Sequence, residues 1–147
     1  MKTTTMKWAL LVVVPGSGFL SCKKDKADSP ACSVSMTGLS GTYKLTALQY
    51  KLSAAVPAVD YLAYMDDCEK DDSITLNSDG TYDYHDAGTV CTPDGNDHGA
   101  WQVKGNTLIS DGTLNGVVAS YDCKTLVYYV DNALTTGDRM TFTMVKQ

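Results

Sequence analysis

The sequence predicts an all-β domain of about eight short antiparallel strands with little helix. Three observations carry that reading. Between Cys68 and Cys91, two runs with an apolar or aromatic residue at every second position flank Ser78-Asp79-Gly80. There Gly80 can take a positive φ without steric cost, so the stretch reads as a β-hairpin. Turn signals then recur every few residues as far as Gly137. The last run, Asp138–Val145, sets Met140, Phe142 and Met144 on one face and Thr141 and Thr143 on the other. Such a meander either stacks as a sandwich or closes as a barrel, and closure disposes of the exposed edges.

In chain order, Met1–Ser21 is a leader rather than part of a fold. Lys2 and Lys7 precede an apolar stretch, Trp8–Leu20, broken by Pro15, Gly16 and Gly18. At about 13 residues it is shorter than the ~20 a spanning helix needs, and it fits the apolar region of a signal peptide. It ends in Phe19-Leu20-Ser21-Cys22, which resembles a bacterial lipobox. That resemblance implies cleavage before Cys22 and lipid attachment to its sulfur. The Lys-Lys-Asp that follows resembles lipoproteins of the Bacteroidota, which implies an outer-membrane lipoprotein on the periplasmic or surface-exposed side. Lys23–Pro30 is charged and small, so residues 22–37 are read as a lipidated cysteine with a solvated tether, and 38–147 as the domain.

Met36–Leu39 could form one helical turn. Tyr43, Leu45 and Ala47 then alternate with Lys44 and Thr46 as a first strand from Gly41 to Leu48. Ser53–Tyr64 has no strand period, and Tyr61, Leu62 and Met65 are spaced for a short helix starting near Asp60. Asp66–Asp72 holds five acids in seven residues, the composition of a solvated rim. The hairpin places strands at Ser73–Asn77 and Thr81–Asp86, and a Pro/Asp/Gly loop spans Thr92–Asn96. Gly99–Val103 and Thr107–Ser110 pair across Lys104-Gly105-Asn106; Gly116–Tyr121 and Cys123–Val130 pair across Asp122. Asp131–Gly137 is a turn-rich loop before the final strand.

All 17 acidic residues but only 10 of the 12 basic ones follow residue 21, leaving a formal charge of about −7. So acidic a domain repels nucleic acid and anionic headgroups, which removes nucleic acid as a partner and leaves the lipid anchor as the membrane contact. Setting Cys22 aside, Cys32, Cys68, Cys91 and Cys123 form an even set in an exported chain, and two disulfides are expected. The outer ends of the hairpin bring Cys68 to Cys91, leaving Cys32 for Cys123. Four cysteines on zinc would want a Cys-x-x-Cys pair, and none occurs.

Gly41-Thr42-Tyr43-Lys44-Leu45 resembles the opening strand of lipocalin-like domains, with Tyr43 where that strand commonly carries Trp. Cys68-Glu69-Lys70-Asp71-Asp72, Asn77-Ser78-Asp79-Gly80-Thr81-Tyr82, Gly99-Ala100-Trp101 and Gly105-Asn106-Thr107-Leu108 extend the resemblance to the lipocalin-like lipoproteins of the Bacteroidota. It covers roughly 38–147 and implies an up-and-down barrel of about eight strands.

No nucleophile motif stands out: Gly-x-Ser-x-Gly does not occur after residue 21, and neither His85 nor His98 has a catalytic context. His85 should point away from Tyr82 and Tyr84, and the spacing of Asp94, Asn96, Asp97 and His98 does not match an EF-hand loop. The sequence is read as that of a non-enzyme without cofactor or metal, and as a monomer. By alternation the interior should hold Tyr43, Leu45, Ile74, Leu76, Tyr82, Tyr84, Trp101, Val103, Leu108, Leu126, Tyr128, Met140, Phe142 and Met144. Of these, Tyr43, Leu45, Tyr84, Trp101, Tyr128, Met140 and Phe142 are the candidate ligand-binding residues. Tyrosine and tryptophan each offer an apolar face plus one hydrogen bond, which suits a small hydrophobic or amphipathic molecule. The same side chains could instead fill the barrel, leaving an interaction module for a protein or glycan at the cell surface.

Overall fold

The computed structural model describes residues 32–147. The expected signal peptide, the lipidation site at Cys22 and the charged stretch after it lie outside the described residues. The described chain forms β1 (Gly41–Lys51), β2 (Val59–Asp60), β3 (Ser73–Leu76), β4 (Thr81–His85), β5 (Asp97–Lys104), β6 (Thr107–Ser110), β7 (Leu114–Tyr121), β8 (Thr125–Asp131) and β9 (Arg139–Lys146). One helical turn, α1 (Met36–Leu39), precedes them, and a 3-10 turn occupies Leu62–Tyr64. From β3 onward each strand pairs antiparallel with the next, and β1 pairs with both β3 and β9. The sheet therefore closes as an eight-stranded barrel, with the two-residue β2 added to β1 at Gln49 and Tyr50.

The barrel has a filled end and an open end. At the filled end lie the turns after β3, β5 and β7, the start of β1, and α1. Ser35 caps α1, its side chain accepting from the Gly38 amide at 3.1 Å. Gly38 packs on the Ser33 carbonyl, leaving no room for a Cβ. Two hydroxyls hold the turn across the barrel: Tyr43 donates to the Leu39 carbonyl at 2.8 Å and Tyr121 to the Gly38 carbonyl at 2.7 Å. The Cys32–Cys123 disulfide binds the same segment to the β7–β8 turn. Leu39, Tyr43, Leu76, Tyr82, Trp101, Leu108, Val118 and Leu126 make one buried cluster, with Val34 and Met36 packed against it. Ordered packing thus begins ahead of residue 38.

Where the strands depart from the expected ones, backbone irregularity is the cause. The β1–β9 register shifts between Leu45 and Ala47. Beyond that bulge the faces exchange, since one extra residue inverts a period of two. Ala47 pairs with Thr143 on the outside, and Leu48, opposite Phe142, takes the inward position that simple alternation assigns to Ala47. A second bulge lies between Val118 and Ser120. Cys123, read as the first residue of a strand, stands instead in the turn at φ 77°, and β8 begins at Thr125. The Asp122 carboxylate builds that turn by accepting the Lys124 and Thr125 amides at 3.0 and 2.6 Å.

Candidate site at the open end of the barrel

The open end collects the long loops: 52–72 between β1 and β3, 86–96 between β4 and β5, and 132–138 between β8 and β9. The second and third are built on buried carboxylates, while the first carries the aromatic contacts of Tyr61 with Tyr50 and Tyr64. Asp86, 2% exposed, accepts the Cys91 and Gly95 amides. Asp138, also 2% exposed, accepts the Ala133, Leu134 and Thr135 amides and the Tyr50 hydroxyl. The Cys68–Cys91 disulfide joins the first two loops, with Cα atoms 5.3 Å apart.

The acidic run is only partly the solvated rim that its composition suggests. Asp66, Asp67 and Glu69 are exposed, but Asp71 and Asp72 turn inward onto the 86–96 loop. Asp71 accepts the Thr89 amide at 3.1 Å, and its Oδ1 is buried with no hydrogen-bond partner. Asp72 accepts the Ala87 amide at 3.0 Å and the Tyr84 hydroxyl at 2.8 Å. Burial and that bond to Asp72 hold the Tyr84 hydroxyl well above its ordinary pKa.

Beneath these loops lies a cavity of about 210 Å³. Leu45 and Leu48 of β1, Ile74 of β3, Tyr84 of β4, Tyr128 of β8, and Phe142 and Met144 of β9 form its wall. Met65, Glu69, Asp72 and Ser73 close it from the side of the β1–β3 loop. Tyr128 and Phe142 face each other across β8 and β9, their rings stacked at 4.7 Å. Burial pushes the Tyr128 hydroxyl above its ordinary pKa.

An antiparallel eight-stranded barrel has an interior just wide enough to be filled by side chains or to hold one small molecule, and here a helical turn plugs one end while the other is hollow. A family model described as the lipocalin-like domain matches residues 39–142. The chain belongs to the lipocalin-like domain family. Among curated proteins, none matches it.

Within this lipocalin-like barrel the seven candidate residues divide. Leu45, Tyr84, Tyr128 and Phe142 line the cavity. Met140 lies on a neighbouring depression of about 360 Å³ between the 113–115 and 130–134 segments, and Phe142 borders both. Tyr43 and Trp101 belong to the filled end, 0% and 3% exposed, with the indole N–H donating to the Asn77 carbonyl at 2.8 Å. Their alternation is inward as expected, but depth along the barrel, which alternation does not encode, separates them from the cavity. Sequence reasoning missed Leu48, hidden by the bulge, and Met65, Glu69 and Asp72, which come from an aperiodic loop. The adjacency of an acidic run to Cys68 was the signal available for the last two. His85 is exposed beside Asn96, and among the described residues no group of three or more His, Cys, Asp or Glu is placed to hold a metal ion.

Proposed function

We propose that this protein is an envelope lipoprotein, anchored through Cys22, whose lipocalin-like barrel binds one small apolar or amphipathic molecule at its open end and performs no chemistry on it. The observation that carries the binding reading is the cavity of about 210 Å³, walled by aliphatic, thioether and aromatic side chains with the Tyr84 and Tyr128 phenols and the Asp72 carboxylate among them. An apolar enclosure with a few convergent polar groups is the usual make-up of a ligand site. The anchor rests on Leu20-Ser21-Cys22 and the charged stretch after it.

Native mass spectrometry of protein purified from a bacterial envelope tests both parts. The expected spectrum shows acyl mass on Cys22 and a small co-purified molecule released on unfolding. A chain without acyl mass removes the anchor; a chain that carries no ligand and takes up no apolar probe removes the carrier reading and leaves a surface-interaction module.

A further inference from the structure

The cavity carries charge of one sign. Glu69 and Asp72 line it, and no lysine, arginine or histidine does. Asp72 is more than nine-tenths buried, and its oxygens accept only from neutral donors, the Tyr84 hydroxyl and the Ala87 amide. The ion pairs among the described residues, Lys70–Asp67 and Arg139–Asp131, contribute no residue to its lining. Burying a carboxylate without a cation is costly, and each of its oxygens can accept a further hydrogen bond. Glu69, exposed at the mouth, has its Oε2 turned to the Asp66 amide at 3.0 Å and likewise meets no cation.

We infer that the molecule taken up at this site is a small organic cation, an amine whose ammonium group sits on the Asp72 and Glu69 side and whose apolar part lies against Leu48 and Phe142. The inference rests on the cavity being the ligand site. An ammonium supplies the missing counter-charge to Asp72 through charge-assisted hydrogen bonds, and the Tyr84 ring beside it in the same wall adds an aromatic surface of the kind that favours a cation. A carboxylate amphiphile of the same shape would set like charge against both acids, which discriminates against it. Size narrows the class. A cavity of roughly 150 Å³ accommodates benzene, so about 210 Å³ suits one ring with a short arm, or an alkyl chain of similar bulk.

Calorimetry with phenethylamine, 2-phenylethanol and phenylacetate, three probes of nearly one shape, reads the charge preference directly. The amine should bind about 10-fold or more tighter than the alcohol, the difference expected for a hydrogen bond to a charged group, and phenylacetate should bind weakest. Asp72→Asn should erase that preference, bringing the affinity for the amine down to that for the alcohol. Because Asp72 also holds the Tyr84 hydroxyl and Ala87 amide, Glu69→Gln at the exposed mouth is the companion variant and should reduce the preference without unfolding the barrel. Methyl NMR locates the binding: Met65 and Met144 line the cavity, so their signals should move, while Met36 and Met140 should not. Alcohol or phenylacetate binding as tightly as the amine overturns the cation inference and leaves the cavity reading standing. Amine binding that leaves the Met65 and Met144 signals unmoved lies outside this cavity and also overturns the cation inference. If none of the three binds, both fail.

Discussion

Tyr128 stacks on Phe142 with ring centroids 4.7 Å apart and planes within 4° of parallel. The two occupy directly opposed positions on β8 and β9, and Leu48 stands opposite Phe142 on the other side, on β1. Below this layer the barrel is packed around Tyr43, Leu126 and Trp101; above it the interior opens. Gly116 makes the layer attainable, since a Cβ there would run into the Tyr128 ring at 2.7 Å. Phe142 also borders both open-end depressions, so one side chain separates them.

Phe142→Ala should therefore join the two depressions and release the Tyr128 ring. Large-to-small changes at buried aromatics cost about 3–5 kcal/mol, and the partial exposure of Phe142 lowers that to about 2–4 kcal/mol. Urea denaturation measures it. A cost below about 1 kcal/mol would mean that the stack contributes little to holding the barrel's middle.

Stability should fall at both extremes of pH, through different groups. Burial pushes the Asp138 carboxyl up, but the Thr135, Leu134 and Ala133 amides and the Tyr50 hydroxyl outweigh it, so the net shift is downward. The Ala100 amide and Tyr82 hydroxyl lower Asp111 in the same way. A depressed carboxylate contributes stability above its unfolded value, about 3.9, and loses it as the pH falls through the folded value. Tyr82 is the mirror case. Its bond to Asp111, followed by burial, pushes it up to about 12, so its contribution is complete below about 10 and is lost as the pH rises towards 12. Thermal melts across pH should show Asp138→Asn with a lower Tm at neutral pH and a flatter acid limb. Tyr82→Phe should flatten the alkaline limb.

The strands were legible because alternation survives in a half-buried sheet: Tyr43, Ile74, Leu76, Tyr82 and Trp101 all face inward as their period requires. Gly80, at φ 94°, marks its turn for the reason that only glycine enters that region freely. Barrel closure is another matter. It depends on β1 meeting β9 across almost the whole chain, a pairing that neither strand's own pattern announces. Asp71 and Asp72 were hidden for a different reason. A carboxylate that accepts backbone amides is buried without any apolar signature, so composition alone assigns it to solvent.

The two disulfides should be separable by what they protect. In the chain-entropy model, closing the Cys68–Cys91 separation of 23 residues is worth about 3 kcal/mol, and the Cys32–Cys123 separation of 91 about 4–5 kcal/mol. Cys68→Ser with Cys91→Ser should lower stability and also weaken ligand uptake, because the bridge ties the loop carrying Glu69 and Asp72 to the 86–96 loop. Cys32→Ser with Cys123→Ser should cost more stability and leave the residual binding of the folded fraction intact. Equal losses of binding in both pairs would contradict the division of the barrel into a structural and a functional end.

The bulge in β1 gives the sharpest test of where the ligand sits. Leu48 is 4% exposed and lines the cavity, while Ala47 pairs with Thr143 on the outer face. A continuous strand would reverse those two roles. Leu48→Phe adds bulk to an unfilled space, so it should abolish uptake of 2-phenylethanol while changing stability by less than about 1 kcal/mol, short of the ~1–3 kcal/mol typical of overpacking. Ala47→Phe places its ring on the outside of the barrel and should leave affinity within about twofold. Paired calorimetry and urea titrations of the two variants check this directly. Loss of binding in Ala47→Phe with retention in Leu48→Phe would show that β1 runs without its bulge and that the cavity wall is drawn from the opposite face. A Leu48→Phe protein destabilised by several kcal/mol would instead mean that the open half is packed as tightly as the half around Tyr43.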